Sequence, residues 1–96
     1  MRFFARLEDV DGNLVIEAIR GQVDNADDRG GWLFLDKLFV DRDVALRLLN
    51  DPGGTQPRYR LVAEDGRSVL IFLMGGKGSG NSVRFLAKGP LPFDLE

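Results

Sequence analysis

Apolar and polar residues alternate along most of this chain, and the alternation is interrupted at two Asp-Gly pairs, Asp11-Gly12 and Asp65-Gly66. RFFARLE (residues 2–8) and NLVIEAIR (13–20) flank the first pair. Alternation on both sides of Asp-Gly predicts a β-hairpin with a two-residue type I′ turn, whose central residues both take positive φ. In that register Leu7 opposes Ile16, Ala5 opposes Ala18 and Arg6 opposes Glu17. One face is then apolar, and the other carries a cross-strand ion pair. RYRLVAE (58–64) and RSVLIFLM (67–74) flank the second pair. Here Leu61 opposes Leu70, Tyr59 opposes Phe72 and Glu64 opposes Arg67.

Between the hairpins, WLFLDKLFV (32–40) reads as a third strand, buried on both faces for part of its length. DRDVALRLLNDPGG follows and predicts a helix over 42–50. Asp41 or Asp43 can accept hydrogen bonds from the free amides of its first turn. Val44, Ala45, Leu48 and Leu49 share one helical face, and Pro52 with Gly53-Gly54 stops it. SVRFLAK (82–88) alternates again and predicts a last strand. Two prolines in GPLPFDLE make residues 90–96 an extended tail, expected to dock on its own sheet.

The two hairpins resemble each other. At an offset of 54 residues, ARLEDVDGNLVIEAIRG lies over YRLVAEDGRSVLIFLMG with six identities and no gap: Arg6/Arg60, Leu7/Leu61, Asp11/Asp65, Gly12/Gly66, Val15/Val69 and Gly21/Gly75. Any hairpin selects Asp-Gly and alternating aliphatics, so part of this match is physics. The reading is a single domain over 1–96 with an internal repeat, 2–40 and 57–89. Each half is a three-stranded antiparallel unit. The fold class is mostly β (α+β), in β-β-β-α-β-β-β order. A three-stranded sheet is marginal alone. Packing two of them predicts a small sandwich or partly open barrel with one helix.

Composition narrows the chemistry. Ninety-six residues with 44% hydrophobic and 29% charged side chains supply one core. No apolar run is long enough for a membrane span, so the expected location is cytoplasmic, with no membrane partner. The chain has no Cys and no His. That excludes thiol and histidine nucleophile systems within it, and the common zinc sites. Catalysis would fall to groups such as Asp24, Asp27 and Asp28, in a loop whose spacing fails the EF-hand pattern. No cofactor is expected. The glycine-rich stretch GGKGSGNS (75–82) has neither the Gly-Lys-Ser order of a Walker loop nor the sixth-position Gly of a dinucleotide loop. A strand, not a helix, follows it, so it reads as a hairpin connection with at most a weak anion site at Lys77.

Net charge is −2 but unevenly divided. Residues 1–56 carry seven basic and eleven acidic side chains, and residues 57–89 carry six and two. Arg58, Arg60 and Arg67 are assigned to the face opposite Tyr59 and Leu61, with Arg84 and Lys88 also outward. Together with Lys77 they form a candidate surface for nucleic acid or other anions. Tyr59, Phe72 and Phe85 are assigned inward, which leaves that face few rings for base stacking. The lone tryptophan, Trp32, is either core or the mark of a protein contact. The leading expectation is a non-enzymatic binding or interaction module, an accessory or adaptor protein that contacts a partner or a second copy through a sheet edge or the Trp32 region. Nucleic-acid binding and a carboxylate-dependent enzyme are the alternatives.

Overall fold

A computed structural model describes residues 1–24, 29–35, 41–49, 56–74 and 82–92. Six strands and one helix follow the expected order: β1 (Arg2–Asp9), β2 (Leu14–Gln22), β3 (Gly30–Phe34), α1 (Arg42–Leu49), β4 (Tyr59–Val62), β5 (Ser68–Leu73) and β6 (Ser82–Ala87). The strands close into an antiparallel barrel in the order β1-β2-β3-β6-β5-β4, with β4 returning to β1. Every strand is thus hydrogen-bonded to two neighbours. The barrel is fully closed, so a partner cannot add to a free sheet edge among these strands.

Both hairpins turn differently from the type I′ expectation. The Asp9 N–H donates to Asn13 O, and the Gly12 N–H donates to Asp9 O. The Ala63 N–H donates to Arg67 O, and the Gly66 N–H donates to Ala63 O. Each loop therefore has three residues, closed by a type I turn with its glycine in the left-handed region. Gly12 has φ 88° and Gly66 has φ 91°, and no other described residue has a positive φ. Asp11 and Asp65 avoid the left-handed conformation that a type I′ turn would impose on them. Side chains reinforce each turn. Asp9 Oδ1 accepts from the backbone of Asp11 and Asn13, and Asp65 Oδ1 accepts from the backbone of Arg67, each at 2.9 Å.

The longer loop moves the second hairpin by one residue. Tyr59 pairs with Ile71 and Leu61 with Val69, in place of Phe72 and Leu70. In the first hairpin Leu7 does oppose Ile16, but Ala5 opposes Ile19, not Ala18. Two register shifts cause this, as β2 bulges against β1. The expected Arg6–Glu17 and Glu64–Arg67 pairs are replaced by bonds within a strand and a turn: Arg6 Nε to Glu8 Oε2 at 2.7 Å, and Arg67 Nε to Asp65 Oδ2 at 2.6 Å.

Two seams join residues far apart in the chain. Leu7 pairs with Leu61 across β1–β4, and Gly31 pairs with Phe85 across β3–β6. Inward positions form one cluster: Phe3, Ala5, Leu7, Ile16 and Ile19 from the first hairpin, Leu33 from β3, and Tyr59, Leu61, Ile71, Leu73, Val83 and Phe85 from the second half.

Helix α1 starts as expected. Asp41 Oδ1 accepts from the Asp43 N–H at 2.8 Å, and Asp41 O accepts from the Ala45 N–H, so Asp41 is the N-cap. Leu48 is fully buried in the core, with Val44, Ala45 and Leu49 packed at its margin. Leu91 of the tail packs against the same cluster. Strand β3 begins at Gly30, two residues before the expected start, and residues 36–40 lie outside the described residues.

Candidate functional site

Outward side chains of β1, β2, β3 and β6 fall into two adjacent rows. In the first, Phe4 pairs with Arg20, and Arg20 pairs with Phe34. In the second, Arg2 pairs with Gln22, Gln22 with Trp32, and Trp32 with Arg84. The rows are two residues apart along each strand, hence on the same face. Together they gather three aromatic rings and three guanidiniums around Gln22, with Phe34 and Trp32 side by side on β3. Phe4 is 67% exposed, the highest value among the exposed large apolar residues, while Trp32 and Phe34 are half-buried. The Arg84 guanidinium lies over the Trp32 ring, 5.8 Å from its centroid.

Beside the first row lies an open groove of about 770 Å³. Arg2, Phe4, Arg20 and Phe34 line it, and the β4–β5 turn forms one wall with Glu64, Asp65 and Arg67. Its floor is made possible by Gly21. A Cβ there would fall within the Phe3 ring, which packs under the strand and meets Phe85 edge-on at 5.9 Å and 89°. The backbone N–H of Arg67 and then its guanidinium hold the Asp65 carboxyl below the ordinary aspartate range. Asp9 is lowered in the same way, chiefly by the backbone N–H of Asn13.

The site residues expected from sequence divide among several places. Trp32 and Arg84 lie in the second row. Arg67 lies at the barrel end, paired with Asp65, because its register partner is Ala63; it is not on the face of Arg58 and Arg60. Arg60 is half-buried and opposes Glu8 across β1–β4. Arg58 and Lys88 are exposed near Leu70, Phe72 and Leu86. Phe72 is corrected to an outward position: it is half-buried and pairs with the exposed Leu86, while its neighbours Ile71 and Leu73 point inward. Lys77, Asp27 and Asp28 lie outside the described residues, and Asp24 is exposed. Among the described residues no group of three Asp or Glu side chains is placed to hold a metal ion, and no helix is long and apolar enough to cross a membrane.

Sequence reading missed Arg2, Phe4, Arg20 and Phe34 as site residues. A signal was present in FF, since an alternating strand leaves one of the two rings outside; β3, expected to be buried on both faces, instead alternates, with Trp32 and Phe34 half-buried between buried Gly31, Leu33 and Leu35. No known protein family matches this chain, and no curated protein or solved structure matches it significantly.

Proposed function

We propose that this protein is a non-enzymatic binding module whose contact surface is the outer face of β1, β2, β3 and β6. The observation that carries the reading is the interleaving of Phe4, Phe34 and Trp32 with Arg2, Arg20 and Arg84. Aromatic and arginine side chains concentrate binding energy because each offers a large apolar surface together with a directional polar or cationic contact. Closure of the barrel favours a face over an edge as the route of contact. The absence of His and Cys supports a binding role over a catalytic one.

The test compares partner capture from native lysate by three forms of the full chain. The wild type and a control variant on exposed Val10 of the β1–β2 turn (Val10→Ala) should retain the same partners. The double variant Phe4→Ala, Trp32→Ala should lose them. Equal capture by all three forms removes this face from the function, and turnover in a substrate screen refutes the non-enzymatic reading.

A further inference from the structure

We infer that the occupant of this face is single-stranded nucleic acid, with unpaired bases stacked on Phe4, Phe34 and Trp32 and phosphates held by Arg2, Arg20 and Arg84. The inference rests on the proposed contact face and names its ligand.

Three observations converge on it. First, the rings point outward from a sheet: Arg20 stands between Phe4 and Phe34 across the strands, and Trp32, beside Phe34 along β3, has Arg84 as its cross-strand neighbour. A single strand presents the complementary pattern, a flat apolar base beside each negative phosphate. Second, Phe4 and Phe34 are two strands apart, so their Cα atoms are separated by roughly 10 Å at ordinary strand spacing. Arg20 occupies the strand position between them, where a phosphate joining two stacked nucleosides would pass. Third, two acidic groups beside the first row, Glu64 and Asp65, lie on the groove wall on the β4–β5 side, and exposed Asp24 follows Gln22 beyond the end of β2. From Phe4 the rows continue over β2 and β3 to Arg84 on β6, away from the β4–β5 turn, so a polyanion meets Arg2, Arg20 and Arg84 although the whole chain is net negative.

Duplex fits this face poorly, since its bases are stacked within the helix and cannot lie on the rings. A partner protein would need acidic and apolar groups in alternation, with no use for planarity. Trp32 provides a direct probe, because it is the only tryptophan in the chain.

The experiment titrates the full-length protein with a fluorescently labelled twelve-nucleotide oligothymidylate and with an abasic oligonucleotide of the same length, at low salt. Anisotropy reports binding, and Trp32 emission reports stacking. The expected result is binding to oligothymidylate with quenched Trp32 emission. Binding to the abasic strand should be at least tenfold weaker. Affinity should fall with salt at a logarithmic slope of about −2, from three phosphate contacts on a single strand. Phe4→Ala and Trp32→Ala should each weaken binding about 5- to 150-fold. Arg20→Gln should reduce the salt slope by about 0.7. Circular dichroism confirms that these outward substitutions leave the fold intact.

No binding to oligothymidylate, equal binding of the abasic strand, or a duplex preferred over the single strand would each overturn the inference. The abasic comparison uses the wild type alone, so the test survives a variant that misfolds. Lysate capture repeated after nuclease treatment separates the two claims. Partners that persist after nuclease and still depend on Phe4 and Trp32 retain the binding face but refute nucleic acid as its ligand.

Discussion

Gly21→Ala gives the most direct check on the β1–β2 register. The ideal Cβ at this position falls among the ring carbons of Phe3, whose side chain is 4% exposed and stacked edge-on against the fully buried Phe85. The ring must move. Overpacking of this kind costs about 1–3 kcal/mol, and loss of the edge-to-face geometry adds about 0.5–1.5 kcal/mol. Replacing a strand glycine returns about 0.5–1 kcal/mol of backbone entropy. The net loss is about 1–3 kcal/mol, which at a urea m-value near 1–2 kcal/mol/M lowers the denaturation midpoint by roughly 1–2 M. The assay is urea unfolding followed by circular dichroism, run as a double-mutant cycle with Phe3→Leu. With the ring removed, Gly21→Ala should become neutral or slightly stabilising. The coupling should then approach the whole cost of the single variant. In an unbulged register with Ala5 opposite Ala18, Phe3 would face Arg20 and the Gly21 position would be clear. A neutral or stabilising Gly21→Ala in the wild-type background would therefore refute both the bulges in β2 and the packing that builds the groove floor.

Gly12→Ala and Gly66→Ala should each destabilise by about 1 kcal/mol, because both glycines occupy the left-handed region while an added Cβ meets nothing. Gly89→Ala, with open space and no positive φ, should be neutral or stabilising, so thermal midpoints of the three variants separate backbone strain from crowding. The lowered carboxyls of Asp9 and Asp65 predict an acid limb. Between the folded and unfolded values the unfolded chain binds more protons, so their contribution is full above the ordinary aspartate range and is lost as pH falls through the folded values. Urea midpoints measured against pH should fall on acidification, and Asp65→Asn should flatten that limb; an unchanged limb in the variant would show that the turn carboxylate does not contribute.

Much of the architecture was legible in local pattern. Asp-Gly located both turns, and alternation located the strands to within a few residues. Asp41, Val44 and Leu48 specified the cap and buried stripe of α1. Register was not legible, because a two-residue loop and a three-residue loop can both contain Asp-Gly. The three-residue form places only glycine at positive φ, and the chain adopts it twice. That single-residue difference turns Phe72 outward. The bulges in β2 had a faint sequence trace, since Ile16 and Ile19 are three apart where alternation would have them two or four apart.

Local pattern set element order, the inward faces of β1, β4 and β6, and the exclusion of histidine and cysteine chemistry. These follow from local conformational preference and composition, which need no partner strand. Closure of the barrel and the grouping of Phe4, Arg20, Phe34, Trp32 and Arg84 were decided only in three dimensions. They depend on how β1, β2, β3 and β6 align across seams joining residues up to 56 positions apart, as Gly30 with Leu86. Outward residues carry little core energy to constrain that alignment. It is fixed instead by the inward packing of Phe3, Gly21, Leu33 and Phe85 beneath them.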